Sequence, residues 1–291
     1  MKINQISPLE HNYTKRLSTI ALTPKTLYFY GNWPETPSAP KRPKTVAIVG
    51  ARKHTSYGEE VAYRAAYELT KRGAIIISGL ALGIDSIAHQ ACLDAGGTTI
   101  AILGTPINRL YPTRHQKLAA QIIHQGGCVA SEYAPDTPLK YSISFLARNR
   151  LISALADVVL VVEAGARSGT LNTATHALEQ GRDLFVVPGD INRPLSIGCN
   201  RLLAQGASPF TRPDDIADLL FPPQTVKSAP LSGDSPLETA ILRQLQQGVR
   251  DGEQIITQLK ISASQFNQTI TILEIKARVR SLGANQWSLK S

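Results

Sequence analysis

Several stretches of this chain end an apolar run on glycine and begin an amphipathic one, and each could hold an anion. The first reads VAIVGARKHTSYG, with Gly50 followed by Arg52. Free N–H groups at a helix start favour a negative ligand, and a guanidinium adds charge-assisted hydrogen bonds. Arg52 can equally be a surface residue at a helix end. The second, SGLALGIDSIAH (78–89), has Gly79 and Gly83 for a tight turn and Asp85 in the next helix's first turn, where the dipole favours a carboxylate. Asp85 and His89 are four apart and share a helix face. They form either an acid–base pair or a structural hydrogen bond, and no nucleophile or metal ligand accompanies them. Ser168-Gly169-Thr170 offers small residues and hydroxyls for an anion nest, and Gly189, Ser196, Gly198 and Asn200 stand in a further loop. A different chemistry lies in 137–156. No acidic residue occurs between Asp136 and Asp157, while Lys140, Arg148 and Arg150 are interleaved with Tyr141 and Phe145. Cations for phosphates and rings for bases are the composition of a surface for single-stranded nucleic acid. Which arginine reaches such a ligand is open, since an internal salt bridge is the competing use of either.

These loops need a frame. The runs VAIVG (46–50), AIIISG (74–79), TTIAILG (98–104), CVASEY (128–133), DVVLVVEAG (157–165) and DLFVVPG (183–189) are short and rich in β-branched residues. Continuous apolar runs of this length predict strands buried on both faces. Helical patterns such as SYGEEVAYRAAYELTKRG lie between them and close on glycine, where a left-handed cap is wanted. Alternating strand and helix predicts an α/β fold, a doubly wound, mostly parallel Rossmann-like sheet. In such a sheet ligands bind outside the carboxyl ends of the strands, so the loops fall on one rim. On that rim Leu151, Ile152 and Leu155 mark a helix's buried face, with Arg150 and Ser153 on its polar side.

The domain reading is a short N-terminal extension over 1–44, the sheet domain over 45–220, a Pro- and Ser-rich linker over 221–235, and a small unit over 236–291. That last unit predicts three short helices and a hairpin, a winged-helix-like layout suited to nucleic acid or to a protein partner.

The formal charge of +9, from 31 basic and 22 acidic side chains, favours a polyanionic partner. Cys92, Cys128 and Cys199 are scattered and odd in number, which argues against a zinc site or a disulfide framework and fits a cytoplasmic protein. No signal peptide and no run of about 18 apolar residues is seen, so no membrane partner is expected. The first loop fails as a dinucleotide fingerprint, since the glycine after Gly50 is Gly58. Walker A, His-Glu-x-x-His and Gly-x-Ser-x-Gly are absent. No metal, cofactor or catalytic residue is expected.

VGAR (49–52), SGLALGID…AH (78–89), ILG…YP (102–112), SEY (131–133), RNRLISALAD (148–157), VVEA…SGTLNTA (161–174) and VPGD…GCNRLLAQGA (187–207) resemble, in order, the DprA/Smf family of DNA-processing proteins. YTKRLSTIALTPKTLYFYG (13–31) is similar to the family's lead-in segment. The resemblance implies a non-enzymatic, homodimeric protein that binds single-stranded DNA taken up in natural transformation, protects it and helps load the RecA recombinase. By motif it carries Arg52, Lys140, Phe145, Arg148, Asn149, Arg150, Ser168, Gly169 and Asn200 to the DNA pocket, beside Gly50 of the first loop. Thr105-Pro106 stands where the family more often has further glycine, and the N-terminal helical domain of some members is not expected. Two other functions compete. GARSGTLNTATHALE (165–179) is faintly similar to the phosphate loop of Rossmann-like hydrolases that cleave nucleoside monophosphates, with Ala-Arg-Ser replacing its glycine-rich start. The winged-helix-like unit could instead make this a duplex-DNA-binding protein.

Overall fold

The computed structural model describes residues 2–34, 43–222 and 232–290. They divide into two compact units, Met1–Pro222 and Pro223–Ser291. In the first, strands β1 (Asn4–Ile6), β2 (Leu27–Gly31), β3 (Thr45–Gly50), β4 (Ile75–Ser78), β5 (Thr99–Leu103), β6 (Cys128–Ser131), β7 (Val158–Val162), β8 (Asp183–Val186) and β9 (Ser208–Pro209) form one sheet. Its helices are α1 (Ser56–Lys71), α2 (Ile84–Asp94), α3 (Gln116–His124), α4 (Tyr141–Leu155), α5 (Thr170–Glu179), α6 (Ile197–Ala204) and α7 (Asp214–Leu220).

The strand order is β1-β2-β6-β5-β4-β3-β7-β8-β9, parallel from β6 to β9. The β-branched runs predicted as strands are its buried centre: every residue of β4, β5, β6 and β7 is shielded from solvent. Helices α1, α2 and α7 pack on one face, and α4, α5 and α6 on the other. Gly73 and Gly96, just beyond α1 and α2, have φ of 92° and 75°, the left-handed ends the sequence called for.

Residues 2–34 are not an extension. β1 and β2 add an antiparallel edge to the sheet, β2 pairing Tyr28 with Ser131 and Gly31 with Cys128 of β6. Tyr13, Leu17 and Trp33 join the core beside Leu151 and Leu155 of α4. A short 3₁₀ turn, Thr14–Thr19, carries Arg16 to the carbonyls of Leu155 and Ala156, both at 2.7 Å, and to Asp157 at 3.1 Å. The reason is distance along the chain, since LYFYG of β2 finds its partner in β6 a hundred residues later. Coverage by this segment also overturns the polar side assigned to α4. Arg150 and Ser153 are both buried, and the whole of Arg148–Leu155 is enclosed.

The second unit has helices α8 (Pro236–Gln246), α9 (Gly252–Leu259) and α10 (Ala263–Ile275) and the hairpin β10 (Val279–Gly283) and β11 (Gln286–Leu289). Ser235, Asp251 and Ser262 cap the three helices with their side chains. Ile241, Leu242, Ile255, Phe266, Ile270 and Val279 make the core. Most of the predicted linker, 223–231, lies outside the described residues. Ser232–Ser235 belong to this second unit, where Asp234 bonds Lys276 at 2.8 Å and Gly233 bonds Thr239. Among the described residues no helix is long and apolar enough to cross a membrane.

Candidate functional site

The direction of winding reverses at β3. Strands β4, β5 and β6 are added on one side of it, and β7, β8 and β9 on the other. The loops after β3 and β7 therefore part, and a crevice opens at the carboxyl ends of the strands. Gly50 ends β3 there, so close to the Val162 carbonyl and the Ile84 side chain that no Cβ fits. The crevice is a cavity of about 600 Å³. It brings together Gly50, Arg52, Phe145, Arg148, Asn149, Ser168 and Gly169 of the sequence-assigned positions.

Arg148 is the floor. Its guanidinium lies against Gly79 and donates to the carbonyls of Gly79, at 2.8 Å, and Ile102, tying α4 to the ends of β4 and β5. It is 4% exposed. Burial lowers its pKa to about 10, with Asp85 opposing the shift, so it stays cationic at neutral pH. Among the described residues it closes no ion pair. Asn149 accepts from Arg148 Nε and donates to the Gly169 carbonyl at 3.3 Å and to Asn172 at 3.2 Å. Thr170 donates to the Gly50 carbonyl at 3.0 Å, locking the β7–α5 turn to the end of β3. Among the described residues four cations line the cavity, Arg52, Lys53, Arg148 and Arg167, against one carboxylate, Asp85. The floor is thus tied together by hydrogen bonds and the edge is cationic.

The cavity's other edge is aromatic. The Arg52 guanidinium lies 5.4 Å from the centroid of the Phe145 ring, a cation–π distance. Phe145 is 5.6 Å from Tyr111 and 5.9 Å from Tyr141, centroid to centroid. Tyr111 is 48% exposed and Tyr141 38%, an amount of open ring surface that a buried core residue does not show.

Three assigned positions fall elsewhere. Arg150 is turned away from the cavity. It makes a bidentate pair with Glu132 at 2.6 and 2.8 Å and donates to the carbonyls of Leu22 and Ala147. A buried cation is stable only with such partners, and they are supplied by β6 and the N-terminal segment. Lys140 precedes α4 and is exposed, outside the cavity lining. Asn200 exchanges hydrogen bonds with the backbone of Gly189, closing the β8–α6 loop on itself. Asp85 and His89 do not pair with each other. Asp85 accepts from the N–H groups of Gly79 and Ala81, and burial raises its pKa. His89 bonds Thr99 through Nδ1 at 2.7 Å, and burial lowers its pKa to about 3.

The sequence reading missed Lys53, Arg167, Tyr111 and Glu163. Lys53 and Arg167 are neighbours of assigned residues and could have been found by charge. Tyr111 sits in the quoted ILG…YP motif, yet nothing local brings it to Phe145, 34 positions on. Glu163 lies in VVEA; its φ of 58° and its grip on Thr55 are tertiary facts.

The topology and crevice define an α/β protein of Rossmann-like winding with a cationic, ring-edged cavity at its switch point, joined in chain to a winged-helix unit. The chain belongs to the family described as DNA recombination-mediator protein A, whose family model matches residues 4–221; the DprA winged helix domain matches 225–285. It is 47% identical to Protein Smf of Escherichia coli over 60% of this chain and 46% of that one. It is 40% identical to DNA processing protein DprA of Streptococcus pneumoniae over 74% and 73%. The chain spans about half the length of the first of these relatives and of the Mycobacterium tuberculosis one, 46% and 52%. Among solved structures, that of the Streptococcus pneumoniae protein superposes with a TM-score of 0.65 at 38% identity, over 74% of each chain. That of DNA processing protein A from Helicobacter pylori gives 0.64 at 34%, covering 76% of this chain and 96% of that one.

Proposed function

We propose that this protein binds single-stranded DNA in the switch-point cavity, without turning over a nucleotide. The observation that carries the reading is Arg52 stacked on Phe145 at the mouth of a cavity whose cations outnumber its carboxylate. Phosphates need the cations, and unpaired bases need open ring faces, which a duplex would not use. The structure of the Helicobacter pylori relative is described as giving insight into its unique single-stranded DNA binding mode, which supports the same use here. Binding without turnover is supported by the commitments of the titratable groups nearby: Asp85 is held by two backbone amides, and His89 is enclosed against Thr99. Family membership supports the wider role, a cytoplasmic homodimer that protects incoming DNA in natural transformation and helps load the RecA recombinase on it.

The test is equilibrium binding of labelled oligothymidylate across a salt series. Arg52, Lys53 and Arg167 are exposed at the cavity edge. If each meets a phosphate, log K falls against log salt with a slope of about −2, from about −0.7 per contact on single strands. Salt-independent binding, or a tighter hold on duplex of the same length, would sink the reading. Sedimentation velocity tests the dimer. RecA filament nucleation on protein-coated oligothymidylate tests the loading role.

A further inference from the structure

Helices α1, α2 and α5 begin at the carboxyl ends of β3, β4 and β7, so their amino ends face one rim. In an α/β fold that binds a nucleotide, the amino end after the first parallel strand receives the phosphate. Here that position is filled from within. Glu163, just past β7, is 6% exposed, and its Oε2 accepts the Thr55 N–H at 2.9 Å. Its Oε1 accepts the Thr55 hydroxyl, whose oxygen in turn takes the Gly58 N–H at 3.2 Å. Gly58 has no room for a Cβ because the Glu163 carboxylate lies against it. The residue reaches this position with a φ of 58°, a left-handed backbone that a side chain normally avoids. The first turn of α2 carries its own carboxylate, Asp85, which accepts from Gly79 and Ala81 in the preceding loop. That of α5 has no acidic residue in its first turn, and Ser168, Gly169 and Thr170 line the cavity. Thr55 and Glu163 do not line it.

We propose that Glu163 is a specificity-determining residue: its carboxylate takes the place of a ligand phosphate at α1, turning mononucleotides and free phosphates away. An entering anion is left only the α5 side of the cavity. A terminal phosphate near neutral pH carries close to two charges and needs several donors together, with no fixed anion beside them. A diester phosphate of a DNA strand carries one charge and can rest at the α5 end and the arginine edge. Refusal of these anions at α1 is independent of DNA binding elsewhere in the crevice.

The probe is inorganic pyrophosphate, titrated calorimetrically into the full chain at fixed ionic strength. Glu163→Gly suits the left-handed backbone and vacates the amino end of α1. Glu163→Gln keeps an acceptor for the Thr55 N–H and removes the charge. Wild type is expected to take up no pyrophosphate at stoichiometric level. The Gly variant should bind one per chain at least about tenfold tighter, with the Gln variant between them. A merely structural Glu163 would change the melting temperature and leave pyrophosphate affinity where it was. Folded variants that bind no tighter than wild type overturn the proposal, as does one tightly bound pyrophosphate on wild type. If the Gly variant does not fold, the Gln variant decides by the same criterion. No DNA enters the measurement, so loss of the DNA reading would leave this result standing.

Discussion

Two flanks of α4 carry the same side chain two residues apart and use it for different ends. On the cavity flank, Arg148 spends its guanidinium on backbone carbonyls at the ends of β4 and β5 and, among the described residues, closes no ion pair, although the buried Asp85 favours its charged form. On the outer flank, Arg150 is matched oxygen for nitrogen by Glu132 and roofed by the Leu22 carbonyl. Both are buried. The lesson is that burial of a cation does not reveal its role. What it is paired with does, because a carbonyl leaves the net charge in place to act on an entering anion and a carboxylate removes it.

The largest effect expected from breaking this contrast is on the outer flank. Arg150→Ala leaves Glu132, whose side chain is only 12% exposed, without its cation and should cost about 3–5 kcal/mol in urea denaturation. The folded fraction should hold oligothymidylate as wild type does. A variant of normal stability with lost DNA affinity would return Arg150 to the binding surface.

Next comes an acid response behind the cavity. His89 is held neutral with a pKa near 3, well below the ordinary 6.5, so the unfolded chain takes up its proton first as pH falls. Its contribution to stability is complete above pH 6.5 and is lost toward pH 3, at about 1.4 kcal/mol per pH unit within that window. Denaturation midpoints between pH 7 and 4.5 should show this slope, and His89→Gln should flatten it. An unchanged slope in the variant would assign the acid response to other groups.

On the cavity flank the effects move to binding. Phe145→Ala should weaken oligothymidylate binding by about 1–3 kcal/mol, the usual worth of one stacked base. Tyr111→Ala should weaken it by less, because Phe145 lines the cavity and Tyr111 does not. Wild-type affinity in the Phe145 variant would exclude stacking. Arg52→Gln should cost about 1 kcal/mol and reduce the salt slope by about 0.7, alike for all base sequences. The smallest effect is expected from Lys140→Ala, under about 0.5 kcal/mol, since Lys140 does not line the cavity. A larger loss would mean the DNA track extends past the amino end of α4.

Much of this arrangement was legible before the structure. Six buried strands and the helices between them announced themselves through β-branched runs and terminal glycines, because both signals are local. The three helices and hairpin of the second unit were legible for the same reason. β1 and β2 were not, as strands of three and five residues carry little periodicity and β2 joins the parallel sheet only through the distant β6. The site was half legible. The acid-free stretch around α4 gave the right residue types, and the loops after β3 and β7 gave the right places. Direction was hidden: helical spacing put Arg150 on a polar side, while Glu132 and the N-terminal segment turned that side into interior.

The sequence by itself determined that a parallel, doubly wound sheet would form and that glycine-ended loops with cations would gather on one rim. Those outcomes follow from side-chain period and backbone freedom, which act within a few residues. Only the tertiary structure decided which cations are locked into ion pairs, which rings meet Arg52, and that Glu163 fills the amino end of α1. Pairing between side chains 18 or 108 residues apart is set by how the layers pack.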